Sequence, residues 1–537
     1  MTSVNCDVVV VGAGLSGLTA ANALLEKDST LNVIVLEAKG RIGGRTLTKQ
    51  LQGSDGNFDF WDVGGEWVGR PYPHLQYLLQ KFDINTFSLR QQDVKPVPLR
   101  LLPSWDIYFL SLRLRRRKHF FDRFGVNQMK SSVKALECDG IMFEDYCKAR
   151  LWTEDARHTV EAACKSMFGL KPTEMTLLYF LMNVSSAGGF DTFLHPELCS
   201  GQERRIKGGS QQLCHRLAQV MGKNGIVKNQ PVTHITQTDD RVSVLTTDKT
   251  EYQCRRIIMA VPPHLLANIH FTPDLPSNKV DILRNIPLAH IVKFVYSYEE
   301  RFWSNEGSEG HGLQVVLEDH ADGPVGIAYD GTSSRNNPAI VGFVSSTKGP
   351  FHVQDFQLPH QSTPEQESRR QNEAILSVLE DAIGPEVHDY IDYAFVDWST
   401  EKYNGGCFLK SIVPGTTRHL CQTLREPFEN VHFAGTETGT VWCGLMNGAV
   451  QSGLRAGAEV LFHLRPELVE SELPDNVDLS TNRITSCSSG SGFWMCWGFG
   501  VLGLTIGVMG MSFARKSIYL PFDTLERIFD VFQKLYY

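Results

Sequence analysis

Residues 7–37 read DVVVVGAGLSGLTAANALLEKDSTLNVIVLE. Val8, Val9, Val10 and Val11 are β-branched without interruption, which predicts a short strand over 7–11 buried on both faces, since a strand with one wet face alternates. Residues 15–25 carry apolar side chains at helical spacing and run into charge, and residues 32–37 return to a strand pattern. Strand, helix and strand in this order form a βαβ unit, whose strands lie parallel with the helix crossing over between them. Gly12, Gly14 and Gly17 make G-x-G-x-x-G at the first turn. The first glycine permits the tight turn, the second lets a diphosphate approach the backbone, and the third lets the helix pack on the strand. The helix then presents unpaired N–H groups and a partial positive charge to the phosphates. Glu37 closes the second strand at the separation where an acid accepts hydrogen bonds from ribose hydroxyls. A glycine pattern alone arises by chance. In this full context it predicts a dinucleotide site, with NAD and FAD both open at this point.

The chain has 537 residues, too many for one ordinary core, so two or more domains are expected. Hydrophobic content of 42% and charged content of 21% argue against wholesale disorder. A net charge of -8 argues against a nucleic-acid partner, which needs a basic face. The acidity is compatible with a cationic substrate and is read first as a solubility trait. The 12 cysteines are scattered, with no C-x-x-C and no Cys/His cluster at zinc-finger spacing, so reduced thiols in a cytosol-facing protein and no metal are expected. Near Met1 no basic region precedes the first apolar strand, so no signal peptide is expected.

Further along, residues 155–182 keep helical periodicity with only Gly169 and Pro172 as breakers. The basic run 113–118, RLRRRK, reads as a solvated helix face or loop without assigned function. Short strands are expected within 227–261, for example 241–246 and 257–261, and a surface loop over 350–366. Residues 431–462 read as strand, Gly/Thr turn and long helix. No internal repeats are seen.

The segment after the second strand separates the two dinucleotides. Residues 40–46 read GRIGGRT and residues 62–69 read DVGGEWVG. Later come GQER and KGGS within 201–210, PVTH at 231–234, WSTEKYNGGCFLKSIVPG at 398–415, FAGTET at 433–438 and WCGLMNGA at 442–449. In this order the blocks resemble the flavin amine oxidase superfamily, and the N-G-G-C-F of 404–408 resembles the monoamine oxidases most closely. The resemblance covers about residues 5–465 and a similar tail. It implies FAD. Arg41, Gly44 and Arg45 would lie by the dinucleotide, Arg45 with a fork suited to phosphate. The backbone of Val232 would meet adenine, and Glu437 the ribityl and diphosphate chain. Met446 would begin a helix whose positive end faces the flavin pyrimidine.

Cys407 would carry the flavin on its sulfur. A thiolate is a good nucleophile, and the oxidised ring can expose an electrophilic carbon at its 8-methyl group. Lys293 falls in an apolar strand, where a lysine is costly without a partner. The resemblance puts it near flavin N5 holding a water; the plainer reading is a snorkelling surface lysine. Trp398 opens the cysteine block and is counted with the substrate-side residues. Monoamine oxidases frame the amine between two tyrosines, and the matching positions here are Phe408 and Leu445. Trp67 replaces a pocket tyrosine, and Glu66 a small residue. Glu66 could pair with a second substrate amino group, but the favoured reading has it hydrogen-bonded outside the pocket.

Residues 493–514 carry no charge over about the length of a membrane-spanning helix. Trp494 and Trp497 stand at one edge and Arg515 and Lys516 at the other, and Gly503 and Gly507 form G-x-x-x-G. Residues 466–492 read as linker and 515–537 as an amphipathic tail. The expected fold is α/β: a Rossmann-type FAD-binding domain (1–80, 205–283, 391–465) interleaved with a mixed α+β substrate domain (81–204, 284–390), plus a C-terminal transmembrane helix. The expected function is oxidation of a primary amine by O2 to aldehyde, ammonia and hydrogen peroxide, on the mitochondrial outer membrane facing the cytosol. The endoplasmic reticulum stays open as the alternative membrane. A polyamine oxidase and a flavin-bearing scaffold or demethylase-like protein are the alternative functions. An amino-acid oxidase would need a basic group for the substrate carboxylate, and no motif places one. A homodimer is among the assemblies left open.

Overall fold

A computed structural model describes residues 2–69, 71–88, 101–124, 132–168, 170–187, 204–222, 224–284, 288–303, 313–318, 325–346, 364–409, 414–415 and 417–469. The chain divides into two compact units, Met1–Leu479 and Ser480–Tyr537, and every described residue lies in the first.

The valine run forms β1 (Val8–Val11), with every residue buried. It continues through Gly12 into α1 (Leu15–Lys27) and back into β2 (Val33–Leu36). Three later segments join the same sheet: β3 (Ile226–Val227), β4 (Arg256–Met259) and β5 (Val431–Phe433). The order is β5-β4-β1-β2-β3, all pairs parallel. Val8 and Val10 face a core made with Leu18, Ala21 and Val450, whereas Val9 and Val11 face one made with Val242, Val244 and Tyr252. Both faces are therefore covered, which is why the strand is uniformly apolar. The second core belongs to a five-stranded sheet running Ser3–Asn5, Glu251–Cys254, Val242–Thr246, Val232–Gln237 and His270–Thr272.

The first face is closed by α1 and by α2 (Met446–Leu464). A Cβ at Gly453 would stand 2.3 Å from the Ser16 carbonyl oxygen, and one at Gly457 3.1 Å from that of Ala20. Glycine at these two points lets the helices touch backbone to backbone.

A six-stranded antiparallel sheet forms the other half, in the order Gln314–Glu318, Val325–Asp330, Ala339–Ser346, Leu288–Tyr298 and Tyr390–Asp397, with Cys407–Leu409 pairing onto Leu288–Tyr298. Lys293 lies on the central strand Leu288–Tyr298, in register with Phe343 and Val396. Helices including Leu101–Phe124, Glu154–Phe168 and Leu177–Ser186 build a separate apolar core.

Most expected elements are present with ends shifted by one or two residues. The helical periodicity over 155–182 resolves into two helices, Glu154–Phe168 and Leu177–Ser186, separated at the marked proline by a 3-10 turn at Pro172–Glu174. Proline disfavours a helical residue before it, and Lys171 is extended at ψ 155. Thr176 then restarts the helix by accepting from the Tyr179 N–H. The basic run 113–118 sits on Leu101–Phe124 and is not wholly solvated: Leu114 is buried, and Arg117 lies 5.5 Å over the Tyr146 ring. Of the surface loop expected over 350–366, residues 364–366 belong to the helix Pro364–Ile383, and 350–363 lie outside the described residues. The expected membrane span 493–514 also lies outside them, as do the linker beyond Val469 and the amphipathic tail. No helix among the described residues is long and apolar enough to cross a membrane.

Lys279 is buried where three elements meet. Its ammonium donates to the Thr423 and Glu426 carbonyls at the end of the helix Thr417–Arg425 and lies 3.7 Å from the Phe433 ring centroid. Burial pushes it down to about 7. An unfolded lysine titrates near 10.4. Between these values the folded chain binds fewer protons than the unfolded one, so stability should rise with pH across this window. The unfolding free energy of wild type minus that of Lys279→Met is expected to climb from pH 7 to 10 by up to about 1.4 kcal/mol per unit. Thermal unfolding of both proteins at several pH values measures it.

Candidate active site

The glycine turn is shaped by contacts that leave no room for side chains, save at one place. Gly12 has φ +105, and a Cβ there would stand 2.7 Å from the Ala260 carbonyl oxygen just past β4. A Cβ at Gly17 would stand 2.0 Å from the Gly12 oxygen. At Gly14 the nearest atom is the Gly44 Cα at 4.0 Å, so this position opens onto free space. Gly14 is also the N-cap of α1 and offers no side-chain cap to the first-turn N–H groups. Glu37 is buried at the end of β2, and its carboxylate accepts from the Ala13 N–H at 2.8 Å and the Lys39 N–H at 2.9 Å. Burial raises its pKa, against those two hydrogen bonds. Each oxygen keeps a further lone pair for another donor. The Gln230 N–H donates to the Glu37 carbonyl, which sets the start of Val232–Gln237, and with it Val232, beside this acid.

The 40–46 loop lies across the glycine turn. The Gly43 N–H donates to the Ala13 carbonyl at 2.9 Å, and Gly43 and Gly44 both take positive φ. Arg45 reaches the Glu437 carboxylate through both terminal nitrogens, one at 3.1 Å. Burial alone would raise Glu437, but the Arg45 guanidinium outweighs it and holds the acid below its usual range. Arg41 and Lys39 both bind Glu401, at 2.6 and 2.8 Å. Glu401 begins the turn that leads through Gly405 (φ +67) and Gly406 (φ +137) to Cys407. His264 faces this turn: a Cβ at Gly405 would stand 2.9 Å from its Nε2. Both ring nitrogens of His264 are buried with no hydrogen-bond partner among the described residues. Burial depresses its pKa, with Glu437 opposing.

A second cluster is centred on Glu66. The Lys293 ammonium donates to Glu66 Oε2 at 2.6 Å and to the Gly64 carbonyl at 2.9 Å. The Tyr329 hydroxyl donates to the same Oε2 at 2.7 Å, and Arg205 Nε lies 3.2 Å from Oε1. Burial would raise Glu66, but Lys293 and Arg205 hold it low. Asp62 stands nearby, accepting from Thr48 and Ser210; burial, with Glu66 adding to it, lifts it to about 6. Trp67 packs on the Tyr329 ring at 5.2 Å, with the Arg205 guanidinium over its own ring at 5.3 Å. Trp398 is buried and donates from its indole to the Val63 carbonyl at 3.0 Å.

The two clusters join at Gly65, whose N–H donates to the Arg45 carbonyl at 3.0 Å and where a Cβ would stand 3.3 Å from Met446 Cγ. Met446 is the first residue of α2 and Leu445 its N-cap. Gly12, Gly14, Gly17, Glu37, Arg41, Gly44, Arg45 and Glu437 thus gather where β1, β2 and β4 end. Lys293, Trp67, Trp398 and Met446 gather around residues 63–67, and Leu445 precedes Met446 in the chain. Cys407 and Phe408 lie on Cys407–Leu409, whose backbone pairs Cys407 with Ala289. Sequence reading had not singled out Glu401, His264, Arg205, Tyr329 or Asp62. Asp62 and Glu401 lie inside quoted blocks, but their partners are distant in sequence and nothing local marks the pairing.

The residues present fit an anionic dinucleotide. Gly14 leaves a gap that a Cβ would fill, the start of α1 is uncapped, and His264 holds two orphaned nitrogens beside the cysteine turn. Among the described residues no group of His, Cys, Asp and Glu is arranged to hold a metal ion.

A profile of the family described as flavin containing amine oxidoreductase matches residues 15–461. Amine oxidase [flavin-containing] A of Canis lupus familiaris is 32% identical over 498 residues, covering 89% of this chain and 90% of that protein. Amine oxidase [flavin-containing] B of Homo sapiens is 31% identical over 501 residues, covering 90% and 91%. Among solved structures, putrescine oxidase bound to putrescine superposes with a TM-score of 0.72 at 24% identity, covering 86% of this chain and 99% of that one. Cyclohexylamine oxidase from Brevibacterium oxydans IH-35A gives 0.68 at 25% identity, with the same 86% of this chain and 99% of that one. With a family match over most of its length and relatives above 30% identity along nearly all of it, this chain belongs to the flavin-containing amine oxidoreductases and is an FAD-dependent amine oxidase.

Proposed function

We propose that the enzyme oxidises primary monoamines, with O2 as final acceptor, to aldehyde, ammonia and hydrogen peroxide. The observation that carries this reading is the state of Glu66. A diamine or polyamine needs a free anion for its second ammonium group. Glu66, the acid that would suit that role, is already bound by Lys293, Arg205 and Tyr329. Arg205, the cation an amino-acid substrate would need, directs NH1 to the Gly331 carbonyl, NH2 to that of Asp330 and Nε toward Glu66.

FAD when bound accepts two electrons from the amine and passes them to O2. Gly12, Gly14, Gly17, Glu37, Arg41, Gly44, Arg45, Val232, Glu437 and Met446 would hold it, and Cys407 would carry it covalently on its sulfur. Trp67, Trp398, Phe408 and Leu445 exclude water and orient the neutral amine, with Lys293 on the cofactor side. No side-chain base is assigned. The FAD-binding domain gathers residues 1–80, 205–283 and 391–465, and the substrate domain 81–204 and 284–390. Residues 493–514, uncharged and flanked by tryptophans and basic residues, anchor the enzyme in the mitochondrial outer membrane with its catalytic unit toward the cytosol.

The test is peroxide release by purified holoenzyme given phenethylamine, putrescine or an amino acid. Faster turnover of putrescine than of phenethylamine would overturn the monoamine reading. A related expectation concerns Leu445, which supplies apolar contact but no aromatic face. Leu445→Tyr combined with Phe408→Tyr should raise kcat/KM for phenethylamine about 10-fold, or roughly 1.4 kcal/mol, because two aromatic walls leave the amine fewer unproductive poses. Steady-state kinetics of wild type and the double variant decide it.

A further inference from the structure

We infer that Glu66 is a positioning residue for the oxygen reaction: it keeps the Lys293 ammonium charged and aimed, and Arg205 and Tyr329 hold Glu66 in place to do so. This deepens the proposed reading and rests on Lys293 lying on the cofactor side, where a fixed ammonium would stabilise the negative charge that develops on O2 as it is reduced.

The geometry is specific. Lys293 is on the central strand of the antiparallel sheet and only 8% exposed. Its sheet neighbours Phe343 and Val396 carry no charge. A buried lysine without a counter-charge tends to shed its proton. Glu66, 4% exposed, supplies that charge at 2.6 Å, and the Gly64 carbonyl supplies a second acceptor at 2.9 Å. Both come from the 62–69 block, the one that touches Met446 through Gly65. The lysine is therefore fixed to the loop that also borders the start of α2.

The remaining groups fix the carboxylate. Arg205, on Arg204–Ile206, faces Oε1, and Tyr329, on Val325–Asp330, donates to Oε2. Burial and the Glu66 charge both push the Tyr329 phenol upward, so it remains a donor. Asp62 is the other acid near the cluster, and its oxygens are engaged by Thr48 and Ser210. One carboxylate thus faces two cations. Glu66→Gln would keep the shape, remove the one charge that touches Lys293 among the described residues, and leave the two cations opposed. The lysine then becomes the group that gives up a proton, because an arginine does not.

The experiment follows flavin reoxidation by O2 and anaerobic reduction by amine separately, by stopped flow from pH 6 to 9.5. Holoenzymes of wild type, Glu66→Gln, Glu66→Asp and Lys293→Met are compared. Glu66→Gln is expected to lose its reoxidation rate as pH rises, at least one pH unit earlier than wild type, with reduction changed less than threefold. Glu66→Asp keeps the charge but withdraws it, so its inflection should fall between the two; it also keeps the test readable if Glu66→Gln does not fold. A second readout needs no turnover. The melting temperature of Glu66→Gln should climb from pH 7 to 9.5 more steeply than that of Glu66→Gln/Lys293→Met, since the rise due to Lys279 is common to both. Unmoved inflections in both Glu66 variants, with Lys293→Met still slowing reoxidation, would overturn the role of Glu66. Unchanged reoxidation in Lys293→Met would instead overturn the reading of Lys293 and the inference with it.

Discussion

Gly17→Val is expected to abolish flavin incorporation and to destabilise the folded chain. The added Cβ would stand 2.0 Å from the Gly12 carbonyl oxygen, 3.1 Å from Ala260 Cβ and 3.2 Å from Val10 Cγ1. Relief requires α1 to move away from β1. The far side of α1 offers no room, because α2 already touches it backbone to backbone at Gly453. Overpacking a core costs about 1–3 kcal/mol when side chains can give; here the first obstacle is backbone, so the cost should lie at or above that range. Gly14→Ala separates folding from binding. Gly14 has φ -80 and ψ 177, which any residue adopts, and among the described residues beyond its chain neighbours the nearest atom to its Cβ position is the Gly44 Cα at 4.0 Å. Gly14→Ala should fold with wild-type circular dichroism yet hold less than a tenth of the flavin, measured as flavin absorbance per mole of purified protein. A Gly14→Ala protein that retains full flavin would show that the cofactor does not use this gap.

These two glycines also show what was legible in the sequence. Their reasons are local: strand, turn and helix are adjacent in the chain, so spacing alone carries the geometry. The same holds for the valines of β1, whose apolar run reports cover on both faces. It fails for the second cluster. Lys293 in an apolar strand signalled a need for a partner, but the partner lies 227 residues away. Glu66 was noticed as an oddity and read as hydrogen-bonded outside the pocket; its carboxylate meets Lys293, Arg205 and Tyr329, none of which its own block pairs with it. Arg205 and Tyr329 carried no local mark at all. Arg45 and Glu437 were each placed by motif at the dinucleotide, and no reading of one motif at a time shows that they bind each other. The break at Pro172, which the sequence marked, is of another kind. The helical period persists across it, because both helices feed one apolar core, while the backbone is interrupted by a ring that cannot donate.

The other large effect concerns the bond between protein and cofactor. After acid denaturation of wild-type holoenzyme the flavin is expected to stay with the polypeptide, on the peptide containing Cys407. From Cys407→Ala all of it should pass into the acid supernatant. The backbone before Cys407 is arranged for close approach to a ligand: Tyr403, Gly405 and Gly406 take φ of +63, +67 and +137, and the chain then enters a strand paired with Ala289. Strained φ at a non-glycine residue costs energy and persists only where surroundings enforce it. The enforcement is visible. Glu401 is held by Arg41 and Lys39 from the loop that lies across the glycine turn, so the cysteine turn and the dinucleotide cradle are tied by two ion pairs. Attachment needs the thiolate held against one carbon of the ring system, and a misplacement of an ångström can cost about 100-fold in rate. Glu401→Ala should therefore bind flavin while attaching it slowly, leaving a fraction that acid releases from freshly purified protein and that shrinks over hours. Complete release from the wild type would show that the cysteine makes no bond. Full attachment in Glu401→Ala at the earliest time would show that Gly405, Gly406 and the strand pairing position the thiol without the ion pairs.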